Sequence, residues 1–185
     1  TSTAQKVALH TSSGVQHFKG GTALQSAYTE SSAGDTIYLS GGGFNPPANF
    51  DKHLVIFGAG HYVDSTLATG KTIINGNVTL NENADLFYIE GVEINGTAGS
   101  TTNHSVDNVT IKNCKINGTF NMPGNLSTPS ANLALIGNVF VGAVYIANVE
   151  NALISNCIIQ GNIADANGAV ISNNIILFNS AYVLH

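Results

Sequence analysis

The sequence predicts an all-β chain wound as a right-handed parallel β-helix, a solenoid with a short N-terminal capping helix. Three observations carry that expectation. A ten-residue frame recurs at spacings of 22, 24, 19 and 17 residues; one phase of the frame is always Gly or Asn; and the apolar residues show no helical period.

The segments Phe87 to Gly96, Val109 to Gly118, Leu133 to Gly142, Ala152 to Gly161 and Ala169 to Phe178 align on one pattern: apolar, any, apolar, any, Gly/Asn, any, any, apolar. The anchoring apolar ladder is Ile89, Ile111, Leu135, Ile154 and Ile171, and a second runs five residues later through Ile94, Ile116, Phe140, Ile159 and Ile176. Between them stand Gly91, Asn113, Gly137, Asn156 and Asn173, residue types that tolerate left-handed backbone and so mark the corner between two strands. Five coils are legible, and the varying period assigns loop insertions to Thr97 to Asn103 and Asn121 to Ser130. A leucine-rich repeat would need regular leucines and a following helix. A β-sandwich would not hold Gly/Asn at one phase.

Before the repeats, Thr22-Ala-Leu-Gln25 reads as a capping box, and Ala23, Leu24, Ala27 and Tyr28 fall at helical spacing, giving a short helix that ends by Gly34. Strands follow at Thr36 to Leu39, Leu54 to Phe57, Thr72 to Ile74 and Val78 to Leu80. The 185 residues are read as one domain, with the cap and first coils over about 20–60 and the repeated coils over about 72–185.

Charge is scarce: 9% of residues, with a net charge of -5, six scattered lysines and no arginine. That argues against nucleic acid and anionic lipid, which need clustered positive charge. No apolar run is long enough for a membrane-spanning helix. Polarity comes instead from 23 Asn beside abundant Ser and Thr, a composition that suits a secreted or cell-surface protein. Cys114 and Cys157 take the place just after the corner, with Asn138 between them. Two coils apart, they are too distant to bridge, so two free buried thiols are expected.

The stretch Gly21 to Gly60, with Ala23-Leu24-Gln25, Ala27-Tyr28, Gly34-Asp-Thr-Ile-Tyr-Leu39, Gly43-Phe44, Lys52 and Leu54-Val-Ile-Phe-Gly58, resembles the N-terminal cap and first coils of the pectin lyase-like β-helix superfamily. The coils that follow are similar to its repeat-containing members, so the resemblance covers about residues 20–178. It implies the fold more than a function, because members include lyases, hydrolases, esterases, tailspikes and surface proteins. The resemblance implies for pectate lyases an arginine base beside calcium held by clustered acids; the absence of arginine weakens that reading without closing it, because lysine replaces arginine in some lyases. The Asp-Asp dipeptide implied for the hydrolases is missing.

Candidate sites are few. Asp85 and Asp107 fall on adjacent coils, about 4.8 Å apart, where two carboxylates repel, share a proton or bind a cation such as calcium. The structural alternative is that each caps the turn before its own strand. Ala131 interrupts the acidic row before Glu150. Glu90 over Lys112 and Glu93 over Lys115 read as outward ion pairs without a third partner, and Asp35 reads as a turn residue.

The leading expectation is therefore a non-catalytic β-helix for adhesion, scaffolding or glycan binding. The alternative is a lyase or hydrolase of an acidic polysaccharide working on the stacked acids, with calcium as the one cofactor in view. Ice binding ranks last, for want of a regular Thr ladder. The end of the chain, Ala181 to His185, shows no capping repeat, which predicts self-association through an open last coil or continuation in a longer chain.

Overall fold

The computed structural model describes residues 5–62, 70–101 and 104–177. It is a parallel β-solenoid of about seven turns, two more than the aligned frame reveals. Each turn contributes short strands to up to three parallel faces. The first face stacks Thr36–Leu39, Val55–Phe57, Tyr88–Glu90, Thr110–Lys112, Ala134–Ile136, Leu153–Ser155 and Val170–Ser172. Its core ladder is the expected one extended backwards: Ile37 pairs with Ile56, Ile56 with Ile89, and so on through Ile111, Leu135, Ile154 and Ile171. Ile171, on the last described coil, stays 40% exposed.

The second face carries the ladder Phe44, Ile74, Ile94, Ile116, Phe140, Ile159 and Ile176. Alternation along each strand turns these side chains inward, where burying each large apolar group contributes roughly 1.5–3 kcal/mol. At the corner between the faces, Gly91, Asn113, Gly137, Asn156 and Asn173 all have φ between 49 and 72°, as their residue types require. A second left-handed row precedes the first face at Leu86, Asn108, Asn132, Asn151 and Gly168. There the amides link coil to coil, Asn132 Nδ2 donating to Asn108 Oδ1 at 3.0 Å.

The segments expected as loop insertions instead build a third face. Ala98–Ser100 and Phe120–Met122 pair with Val78–Leu80 and Val144–Ile146, stacking Val78, Ala98, Phe120 and Val144 into the core. These strands were missed because Ala98-Gly-Ser100 lacks the bulky apolar residues that mark a strand. Ser130–Ala131 and Val149–Glu150 form a further short pair.

The N-terminal cap is larger than one helix. An antiparallel hairpin, Lys6–Thr11 with Gly14–Lys19, joins the first face through Thr36–Leu39, burying Val7 and Leu9 and leaving the polar strand Gly14–Lys19 at the sheet edge. The helix Ala23–Glu30 buries Ala23, Leu24 and Ala27. Its expected capping box does not form: Thr22 makes no side-chain cap bond, and Gln25 Nε2 donates to the Pro46 carbonyl at 3.0 Å. Order comes from the other end, where Lys52 Nζ donates to the Tyr28 and Ser31 carbonyls at 3.0 and 2.9 Å and lies 4.4 Å over the Tyr28 ring. Asp35 is the expected turn residue, accepting the Ser32 amide at 2.8 Å.

The last described coil exposes Val170, Ile171, Ile175 and Leu177. The segment on which self-association was expected, from 178 onward, lies outside the described residues. Among the described residues, no helix is long and apolar enough to cross a membrane.

Candidate functional site

The corner between the first two faces carries the chain's densest chemistry. On the first face the residues alternating with the core ladder point outward, and near the N-terminal end these are aromatic. His10, Tyr38, Phe57 and Tyr88 form a continuous strip, with successive ring centroids 4.8, 5.4 and 5.6 Å apart. Tyr38 is 43% exposed. The strip leads into a cleft of about 340 Å³ lined by Phe57, His61, Tyr62, Glu90 and Asn113 together with the glycines of the corner.

Two carboxylates serve this corner. Glu90 accepts from the Tyr88 hydroxyl, takes Asn113 Nδ2 at 2.8 Å and meets Lys112 Nζ at 3.4 Å. Burial pushes its carboxyl up, but these three partners outweigh burial and hold it below the usual range. Glu93 corrects the expectation of an outward pair without a third partner. It is 7% exposed and lies between Lys71 Nζ at 3.0 Å and Lys115 Nζ at 3.1 Å, with Asn117 Nδ2 at 2.9 Å. Burial raises it, yet the amide and both ammonium groups bring it down to about 2. The spacing of the repeat does not reveal Lys71 because Ile73, and not Lys71, holds the register position opposite Glu93.

His61 is buried at this corner. Its ring lies 4.1 Å from that of Tyr62, and among the described residues Nε2 has no hydrogen-bond partner. Burial holds the imidazole below its ordinary value, against a backbone hydrogen bond with Asn113 and the charge of Glu93. The site thus offers aromatic faces, an ionised acceptor, an amide and a neutral imidazole.

Asp85 and Asp107 do stack on adjacent coils, but as links between coils. Asp85 Oδ1 accepts the Asp107 amide at 2.7 Å, and Asp107 Oδ1 accepts the Ala131 amide at 2.8 Å. Each therefore caps the next coil, where its own turn was the expected partner. Among the described residues, no three His, Cys, Asp or Glu side chains gather in a group able to hold a metal ion.

No protein-family model, curated protein or solved structure matches this chain. Its chemistry is read from its own residues.

A second concavity lies on the third face, an open groove of about 580 Å³ lined by Asn77, Thr79, Thr97, Thr119, Asn121 and Tyr145 among others. Cys114 and Cys157 are both free and buried, and burial pushes Cys114 up to about 12.

Proposed function

We propose that this chain is a secreted or cell-surface β-helix of the pectin lyase-like kind that binds a glycan chain without cleaving it. The observation that supports the reading is the outward strip Tyr38, Phe57 and Tyr88 running into a cleft with Glu90, Asn113 and His61. A sugar ring has an apolar C–H face and a rim of hydroxyls. The aromatic faces suit the first, and a few fixed polar groups suit the second.

Hydrolysis of a glycosidic bond calls for one carboxyl held protonated as general acid beside a second as base or nucleophile. Glu90 and Glu93 are both held ionised by their lysine and amide partners. Glu90, which lines the cleft, is as an ionised acceptor suited to hydrogen bonds from sugar hydroxyls, and neither carboxylate has a proton to give. The low charge and the Asn-, Thr- and Ser-rich composition support the extracellular placement.

The test is retardation of the purified protein in native gels cast with single polysaccharides, comparing the wild type with Tyr38→Ala and Phe57→Ala. Tyr38 is well exposed, so its variant keeps the core. Retardation by at least one polysaccharide, weakened about ten-fold or more in both variants, is the expected result. Retardation by none, or equal retardation of the variants, would sink the reading.

A further inference from the structure

The third-face groove differs from the corner cleft in one decisive respect. Among the described residues, no Asp, Glu, Lys, Arg or His lines it. Parallel register places Thr79, Gly99, Asn121 and Tyr145 in a single outward column. A flanking row of Asn77, Thr97 and Thr119 stands one step before each strand, with the Thr97 amide donating to Asn77 Oδ1 at 3.0 Å.

The depression has a structural cause. Gly99 interrupts the outward column, so the surface dips between Thr79 and Asn121. Its φ is 122°, and a Cβ built there would lie 2.0 Å from the Asn121 carbonyl oxygen. No other residue fits, and the hollow is therefore fixed by the backbone. Tyr145, 38% exposed, stands at the end of the groove, before Ala164 continues the column, and offers a ring face.

We infer that this groove is a second binding site, for an uncharged, unbranched oligosaccharide. Hydroxyls and amides recur along it at the coil repeat of about 4.8 Å. That step is close to the length of one pyranose residue in an extended β-linked chain, so successive sugars meet a polar side chain of the flanking row, Asn77, Thr97 and Thr119, on successive coils. An anion finds no cation here, and a metal ion finds no carboxylate or imidazole. The rings of a neutral sugar find hydroxyl and amide partners along the floor and an aromatic face at the end.

The site stands independently of the aromatic strip. With the strip, on the reading proposed above, it makes the solenoid bivalent, holding two glycan chains on different faces of one rigid body.

The test is an amide NMR titration of the full chain with cellohexaose, xylohexaose and mannohexaose as neutral probes and an oligogalacturonate as charged comparator. At least one neutral hexasaccharide should shift the amides of Gly99, Thr119 and Asn121. Asn121→Ala and Tyr145→Ala should weaken that response about ten-fold, and Tyr38→Ala should leave it unchanged. Three results would overturn the inference: no response of these amides to any neutral probe at millimolar concentration, an equal response to the oligogalacturonate, or wild-type affinity in both groove variants. Failure of the strip reading looks different, because Tyr38→Ala would then leave polysaccharide retardation intact while the groove still titrates.

Discussion

The side chain of Asn138 completes the backbone of two neighbouring coil segments at once, its Oδ1 accepting the Cys114 amide at 2.9 Å while its Nδ2 donates to the Ile111 carbonyl at 2.8 Å. Asn138 is 1% exposed, so no water replaces either bond. Asn174 repeats the device toward Cys157 and Ile154. Asn138→Ala orphans a buried donor and a buried acceptor together. The expected loss is about 2–4 kcal/mol, measured by urea unfolding followed by circular dichroism. An unchanged midpoint would mean that the solenoid relaxes around the gap.

The same inner column holds the thiols. Cys114 is fully buried and its thiol is pushed up to about 12, so the reactive thiolate is nearly absent at pH 8. A colorimetric disulfide reagent at that pH is expected to leave Cys114 unlabelled in the folded protein and to label it at once in denaturant. Rapid labelling of the native chain would place the thiol at a surface.

Glu93 ties stability to pH. Its folded value of about 2 lies below the ordinary 4.5, so its contribution is fully present above about pH 4.5 and is lost as pH falls toward 2. The size is on the order of 2–3 kcal/mol for a carboxylate this well buried. Thermal melts between pH 2 and 7 should show a steep acid limb in the wild type. Glu93→Gln should be less stable at pH 7 and have a shallower limb, since Lys71 and Lys115 lose the charge between them. Parallel limbs would contradict the assignment.

Gly118 sits in a column of stacked glycines after the second face. A Cβ there would lie 2.5 Å from the Gly96 carbonyl oxygen, a backbone atom that cannot swing aside. Gly118→Ala should therefore cost about 1–3 kcal/mol or shift the coil. A melting temperature equal to the wild type would show that the coils are spaced more loosely than described.

Legibility in the sequence followed periodicity. The first two faces were readable because Ile89, Ile111 and Leu135 recur beside a Gly or Asn whose left-handed φ is a local demand. The third face was legible at Val78–Leu80 alone. Its other strands lie where the period varies, and Gly99 and Ser100 give no strand signal. The hairpin Lys6–Thr11 with Gly14–Lys19 was also missed, although Val7 and Leu9 alternate with polar neighbours. Asp85 and Asp107 were correctly stacked, yet their partners were backbone amides, which residue spacing does not reveal. The corner site was half visible. Tyr38 and Phe57 alternate with core residues in plain sequence, whereas Lys71 meets Glu93 from a position two residues before its register partner Ile73, which the aligned frame does not reveal.

Binding without cleavage is the central claim, and one measurement addresses both halves. The polysaccharide that retards the protein most strongly is incubated with the wild type, Tyr38→Ala and Asp107→Ala, with and without calcium, and reducing ends and unsaturated products are counted over a day. The expected result is retention by the wild type with no product in any sample. Calcium-dependent product that disappears in Asp107→Ala would contradict the account and place catalysis on the Asp85 and Asp107 pair.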